Sequence, residues 1–423
     1  MKIVIIGNGI AGNYIAFSLR QFNYPCDITI ISNEKFPEYD PCSLPYFIGG
    51  EISRDAIFKR QISDYKINQI NLISGNGAVS INSITKTIIL EKGDMIEYDK
   101  LILAYGGKLF IPNIEGIDIK GVFSCKQLHH ADKLSESDGK VAVVIGSGAI
   151  GIEVAEALKR KGYNVSIIEL LSWIIPAMFD KPAAEILKKA LNNYGINVFT
   201  GEKVISIDGT NTVKSVTTDK RTISCDTVVV ATGVVTDKSL AESAGISVGR
   251  AIIVNNKMET NINDIFACGD CAEAFDAFSG EKCNYQLKHN AIEQAEIIAQ
   301  NISGKDLNYV GAYPFARAHF FKTHSSSFGK TVSSFKNMDD VEVIDREENN
   351  EYLRVILKSG KIVGAQAIGK YADNMGLFLS AMWQKNDIHE IKNNWQKILQ
   401  IDSPYPWTYR KLGNLLGFGQ SIS

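Results

Sequence analysis

The sequence predicts an α/β protein in which two three-layer βαβ folds are followed by a smaller α+β domain. Three observations carry that expectation. The apolar run Lys2-Ile-Val-Ile-Ile6 ends in Gly7-Asn-Gly9-Ile-Ala11-Gly12. The same design recurs as Val141-Ala-Val-Val-Ile145 followed by Gly146-Ser-Gly148-Ala-Ile150-Gly151. From about residue 310 the pattern changes to short strand-like and helical pieces in alternation.

Each apolar run lacks polar alternation, as a parallel strand covered on both faces should. Helical patterns follow, Asn13 to Phe22 and Ile152 to Lys161, and each leads to another apolar run, Ile28 to Ile31 and Val165 to Ile168. These are two βαβ units. Leu101-Ile-Leu-Ala-Tyr-Gly106 and Thr227-Val-Val-Val-Ala-Thr-Gly233 read as strands at which the chain crosses between the two folds. Ile265 to Asp270 is a further strand, with a helix expected from Asn290 to Asn301. In the last domain, strands are expected at Thr331 to Phe335, Tyr352 to Leu357 and Ile362 to Ile368, and helices at Asn374 to Gln384 and His389 to Leu399. The expected division is 1–110 with 245–308, then 111–244, then 309–423.

Bulk composition removes several classes of function. The 423 residues carry a net charge of −2 with no long run of either sign, which argues against nucleic acid or a charged membrane surface as partner. No apolar stretch approaches the roughly 20 residues of a membrane helix, and the apolar opening runs straight into a glycine turn. Seven scattered cysteines suit reduced thiols and a cytoplasmic setting.

The chemistry begins with the glycines. The first permits the tight turn, the second lets a pyrophosphate approach the backbone, and the third lets helix and strand pack. The helix N-terminus adds N–H donors for the phosphates. One such motif is a weak signal, but two in strand–turn–helix context with an acid downstream are strong. Glu169 stands 18 residues after Gly151, at a strand end, where it can accept from a ribose 2′-hydroxyl and repel a 2′-phosphate. That favours NADH over NADPH. Glu34, 22 residues after Gly12, is the corresponding acid of the first fold, or else a solvated loop residue. Cys268-Gly-Asp-Cys271 has the spacing of a dithiol or metal site, but no second cysteine pair completes one, and no metal is expected.

The order of these motifs, with Ala231-Thr-Gly233 and Gly269-Asp270, resembles the FAD-dependent pyridine nucleotide-disulfide oxidoreductase superfamily along the whole chain. The resemblance implies Rossmann-like FAD and NAD(P)H folds and a C-terminal dimerisation domain. It implies FAD contacts at Gly7, Gly9, Ala11, Gly12, Glu34, Cys42, Val79, Ala104, Gly106, Gly269 and Asp270, the last to the ribityl chain. It implies NAD(P)H contacts at Gly146, Gly148, Ile150, Gly151, Glu169 and Gly233. Tyr105 departs from the more usual Thr of that strand.

Cys42 sets the subgroup. Asp40 reads as an N-cap and Pro41 as a first helical residue, so Cys42 falls in a first turn, where a thiolate is favoured. The alternative is a small buried residue. A partner in a C-x4-C pair is missing, since Pro37 and Phe47 stand there. Cys42-Ser-Leu-Pro-Tyr with Ile48-Gly-Gly resembles the single-cysteine branch: coenzyme A disulfide reductases, NADH oxidases and NADH peroxidases. That branch implies a cysteine facing the flavin and cycling through a mixed disulfide or a sulfenic acid. Glu38 stands where coenzyme A disulfide reductases tend to carry Ser. The tail from Ser403 to Phe418 is similar to theirs, which implies a tyrosine reaching the partner subunit's cysteine site: Tyr405, with Tyr409 as second choice. Interface packing is the other reading. Glu153 is expected near nicotinamide and flavin, or as a partly buried helix residue with a charged partner. His289 is either a flavin contact or a satisfied histidine. Lys59, Arg60 and Arg20 are candidate coenzyme A contacts or plain surface charge.

The expected function is electron transfer from NADH, with NADPH as the alternative, through FAD to Cys42 and a small disulfide such as coenzyme A disulfide or a polysulfide, in a homodimer. An NADH oxidase or peroxidase using oxygen species, and a reductase of rubredoxin or ferredoxin, are the alternatives.

Overall fold

The computed structural model describes residues 1–394, 396 and 407–418. By contact the chain forms two compact units. One comprises Met1–Pro112, Phe123–Asp138 and Thr232–Tyr313, and the other Asn113–Val122, Gly139–Ala231 and Pro314–Ser423.

The first unit is built on a five-stranded parallel sheet in the order Ile265–Ala267, Lys100–Leu103, Lys2–Ile6, Asp27–Ser32, Ile70–Ser74. Ile3, Val4 and Ile5 are at most 1% exposed, so the central strand is covered on both sides, which its unbroken apolar run requires. Helix Ile10–Gln21 presents Ile15, Ala16 and Leu19 to this core and packs on helix Lys288–Ile302, which presents Ala295, Ile298 and Ala299. A three-stranded antiparallel meander, Ala78–Asn82, Thr87–Leu90 and Met95–Glu97, completes the fold. The two crossover segments pair with each other: Lys108–Leu109 runs antiparallel to Val234–Val235.

The second unit repeats the plan. Strands Ile196–Thr200, Asn164–Glu169, Val141–Ile145 and Thr227–Val230 lie side by side in parallel, with helices Ala149–Arg160 and Lys181–Asn193 between them in sequence. Its C-terminal portion is an antiparallel sheet in the order Phe315–Phe320, Thr323–Gly329, Lys361–Ile368, Glu351–Lys358, Val341–Glu348. Helices Met375–Trp383, Ile388–Asn393 and Trp407–Leu416 bury Phe378, Ile391 and Leu412 in one cluster with Leu353, Val355 and Ala365 of that sheet.

One expectation for this region changes, and one strand was not expected. Thr331 to Phe335 is not a strand but a 3-10 turn, Val332–Ser334. The amides of Val332 and Ser333 are taken by the Asp180 carboxylate at 3.0 and 3.2 Å, which leaves them unable to join a sheet ladder. Strand Thr323–Gly329 gave no apolar signal because three of its four buried residues are serines, the fourth being Phe328. Ser325 and Ser326 are fully buried and donate to the carbonyls of Ala318 and Ala316 at 3.0 and 3.2 Å.

Candidate active site

In the first glycine loop the outer glycines are demanded by the protein itself. Gly7 has φ +120°, and a Cβ there would stand 2.1 Å from the Ala104 carbonyl oxygen. A Cβ on Gly12 would stand 2.1 Å from the Gly7 carbonyl oxygen. Gly9 is different: its φ of −82° suits any residue, and a Cβ would meet nothing within 4 Å. Nothing in the fold requires glycine at that position, so the space it leaves matches the backbone-hugging pyrophosphate of a dinucleotide.

The side chains that set this loop were not foreseen. The buried Tyr65 hydroxyl donates toward Asn13 Oδ1 (2.8 Å) and Asn8 Oδ1 (3.0 Å) and accepts the Glu38 amide at 3.0 Å. Asn13 Nδ2 donates to the Asn8 and Gly9 carbonyls at 2.9 and 3.1 Å. Tyr39 Oη donates to Glu34 at 2.9 Å and accepts the Leu128 amide, so Glu34 is oriented rather than loose.

Gly269, at φ +74°, lies against Ala11 and Ala291, and its amide donates to Gln294 Oε1 at 2.8 Å. Gly7, Ala104, Ala11, Gly12 and Gly269 thus come together at the strand ends. Beside them the Asp270 carboxyl is pushed up by burial, against the pull of Lys126, and no group among the described residues hydrogen-bonds it. A partly buried carboxyl with acceptor sites to spare fits the hydroxyls of a ribityl chain. Gly106 (φ +72°) is sterically open, and Val79 sits exposed on the antiparallel meander. Cys268 and Cys271 are fully buried, with thiols pushed up by burial, and Cys271 Sγ donates to backbone carbonyls of Leu103 and Cys268. They are packing residues. His289 Nε2 meets the Tyr313 carbonyl at 3.0 Å and its ring contacts the Tyr313 ring.

Cys42 occupies the 3-10 turn Pro41–Ser43, which runs into the five-residue helix Leu44–Ile48. Asp40 is its N-cap and accepts the Cys42 amide at 3.2 Å, as the sequence implied. The element is shorter than a full helix, so its dipole is correspondingly smaller. The local charge comes from elsewhere: Lys288 Nζ lies 2.8 Å and Lys59 Nζ 3.7 Å from Asp40 Oδ2. Burial would raise the Asp40 carboxyl, but Lys288, the Cys42 amide and Lys59 outweigh it and hold it below the usual carboxylate range. Lys288 lies 248 residues away, and nothing in the sequence signals the pairing. Glu38 is buried and paired with Arg60 at 2.9 Å; burial nonetheless pushes its carboxyl up to about 7. Arg60 also covers the Phe17 ring, and Arg20 is bonded to the carbonyls of Asn68, Cys26 and Gln69. These basic residues are engaged within the fold.

The second loop repeats the steric logic. Gly146 has φ +103°, a Cβ on Gly151 would stand 2.2 Å from the Gly146 carbonyl oxygen, and one on Gly148 would meet nothing within 4 Å. Ile150 is 41% exposed at the helix start. Glu169 is buried under the loop: Oε2 accepts from the Ser147 amide (2.9 Å) and hydroxyl (2.6 Å), and Oε1 from the Leu171 amide (2.8 Å). On the following helix, burial and the neighbouring Glu156 push the Glu153 carboxyl up to about 7. The charged partner expected for Glu153 is not found among the described residues; Glu156 takes that role, accepting from Phe321 and pairing with Arg160. Gly233 (φ +107°) belongs to the first compact unit, beside the paired crossover strands. Tyr405 lies outside the described residues, and Tyr409 falls on helix Trp407–Leu416.

Comparison with known proteins identifies the family. The sequence matches the pyridine nucleotide-disulphide oxidoreductase family over residues 1–295. The chain belongs to that family. It is an FAD-dependent NAD(P)H oxidoreductase, with FAD and NADH as its cofactors. An NADH oxidase of Methanocaldococcus jannaschii is 32% identical over 421 residues, covering 93% of each chain. An NAD(P)H coenzyme A polysulfide/persulfide reductase of Pyrococcus horikoshii is 29% identical over 78% of this oxidoreductase and 76% of its own length. Among solved structures, an NAD-dependent persulfide reductase from A. fulgidus superposes with a TM-score of 0.87 at 27% identity, covering 100% of this chain and 85% of that one. No helix among the described residues is long and apolar enough to cross a membrane, and no group of three metal-ligating side chains is found among them.

Proposed function

We propose that this oxidoreductase uses NADH to reduce a low-molecular-weight disulfide, coenzyme A disulfide or a polysulfide, at Cys42. One observation carries the reading: Cys42 is the one exposed cysteine of the seven, on a capped turn beside two lysines. Bound FAD supplies the two-electron link between NADH and sulfur. The Cys42 thiolate attacks one substrate sulfur; the S–S bond breaks, one thiolate leaves and takes a proton, and a mixed disulfide remains on Cys42. Two electrons and a second proton then release the other thiol and restore Cys42. Tyr405 is proposed as the phenol that protonates the leaving sulfur in the partner's site, in a cytoplasmic homodimer built on 309–423. Gly9 and Asp270 would hold the pyrophosphate and ribityl chain of FAD, and Gly148 and Glu169 the pyrophosphate and adenosine ribose of NADH. Glu153, about half protonated near neutrality because burial raises its carboxyl to about 7, would in its protonated form donate a hydrogen bond at the nicotinamide end. The names of two relatives support a sulfur acceptor, and that of the M. jannaschii relative supports oxygen.

Anaerobic NADH titration of wild type and Cys42→Ser tests this. Wild type first reacted with coenzyme A disulfide and desalted should take up about one NADH more than the variant treated alike, the two electrons of the mixed disulfide on Cys42. Mass spectrometry of the Cys42 adduct separates coenzyme A from oxygen. Equal titration, with small-disulfide turnover surviving the substitution, would make Cys42 structural and favour a protein acceptor such as rubredoxin.

A further inference from the structure

Asp180 closes the loop 170–179 that begins directly after Glu169. It is 4% exposed. Its amide donates to Gln366 Oε1 at 2.9 Å, and its carboxylate accepts from Gln366 Nε2 at 2.7 Å. The Val332 and Ser333 amides donate to the same carboxylate, and Arg354 Nη1 lies 3.3 Å from it. Arg354 is itself clamped by Asp345 at 2.8 and 2.7 Å. A carboxylate of the nucleotide fold is therefore bound by groups of the C-terminal sheet and its turn, all within one compact unit.

At its other end the loop touches the coenzyme machinery. The Leu171 amide donates to Glu169 at 2.8 Å, and the Ile175 amide to the Ser147 carbonyl of the glycine loop at 3.2 Å. Ile175 has φ +47° and precedes Pro176. That backbone is disfavoured for a β-branched residue and again for one before proline, so it persists only where its surroundings hold it. The side chains of Ile174 and Ile175 are buried, at 0% and 2% exposure, and Asp180 fixes the point where the chain leaves.

We propose that Asp180 is a positioning residue for the coenzyme: it anchors the strained loop to the C-terminal sheet and so holds Ser147 and Glu169 in the geometry that binds the adenosine end of NADH. This rests on Glu169 being the ribose acceptor. By linkage the coupling is reciprocal, so a bound coenzyme must tighten the Asp180 contacts.

The test uses the FAD-loaded enzyme and ADP-ribose, which has the adenosine end and carries no hydride. Asp180→Asn should weaken ADP-ribose binding about tenfold. Turnover with ferricyanide at saturating NADH should stay within about twofold of wild type, a rise in KM without a fall in kcat. Phe378→Leu, in the core of the C-terminal portion, loosens that portion without touching the anchor and should leave the ADP-ribose Kd unchanged. In wild type, ADP-ribose should slow hydrogen exchange at the Val332 and Ser333 amides, a measurement that decides the matter even if Asp180→Asn does not fold. An unchanged Kd in Asp180→Asn, an equal rise in Phe378→Leu, or no slowing of exchange each overturns the anchor. Glu169→Ala separates the underlying assignment: if it costs no ADP-ribose affinity, the ribose reading falls and the proposal with it, whereas a loss there with none in Asp180→Asn refutes the anchor alone.

Discussion

Adding one methyl group to Gly9 and one to Gly12 should have different consequences, although both are glycines of one motif. At Gly12 the new Cβ would stand 2.1 Å from the Gly7 carbonyl oxygen and 3.1 Å from the Ile5 side chain. The obstacle is backbone at the end of the buried central strand Lys2–Ile6, so helix Ile10–Gln21 must move away from it. Overpacking of this kind costs about 1–3 kcal/mol or more, against roughly 1 kcal/mol gained from alanine's helix propensity. At Gly9 the backbone is extended, with φ −82° and ψ −170°, and a Cβ meets no protein atom within 4 Å. Its folding cost is at most the difference between glycine and alanine at an N-cap, about 1 kcal/mol. Its binding cost is larger, because a Cβ projects about 1.5 Å into the space left for a pyrophosphate, and each tenfold loss in affinity is about 1.4 kcal/mol. Gly9→Ala should therefore melt within a few degrees of wild-type apoprotein yet bind FAD at least about tenfold more weakly. Gly12→Ala should lose stability first. Thermal melts of the apoproteins and FAD titration by flavin fluorescence give both numbers. Wild-type FAD affinity in Gly9→Ala would refute the steric argument, since the open side of the loop would then not be where the phosphates lie.

Two further outcomes follow from the charges. The carboxyls of Glu38 and Glu153 are raised from 4.5 to about 7 by burial, so the folded state binds more protons than the unfolded state between those values. Stability should be greatest below about pH 4.5 as far as these groups decide it, and should decline as pH rises through about 7. Glu153→Gln should flatten both this decline in melting temperature and the pH dependence of flavin reduction by NADH near neutrality; an unchanged profile would exclude Glu153 as the group that titrates. Asp40→Ala removes the cap of the Cys42 turn and should cost about 1 kcal/mol in stability. It should also change the rate of Cys42 alkylation by iodoacetamide, followed by mass spectrometry, whereas alkylation indistinguishable from wild type would show that the cap does not organise the thiol.

The nucleotide folds were legible because their signals are local. An unbroken apolar run, a glycine turn and an amphipathic helix fall within about 20 residues, and the steric demand on Gly7 and Gly12 is met by neighbours in the same unit. The Asp40 cap of Cys42 was legible for the same reason, being two residues away. The serine-rich strand Thr323–Gly329 was not, because its burial depends on partners that no hydrophobic period announces. The sequence by itself determined two glycine-loop folds and a cysteine capped by Asp40. Only the tertiary structure decided that Lys288 neutralises Asp40, that Arg60 is paired with Glu38, that Glu153 lacks a cation among the described residues, and that Asp180 binds the turn at 332–333. The Lys288–Asp40 and Asp180–Val332 pairings join residues 248 and 152 positions apart, and the state of Glu38 and Glu153 is set by burial and distance, which a linear sequence does not contain.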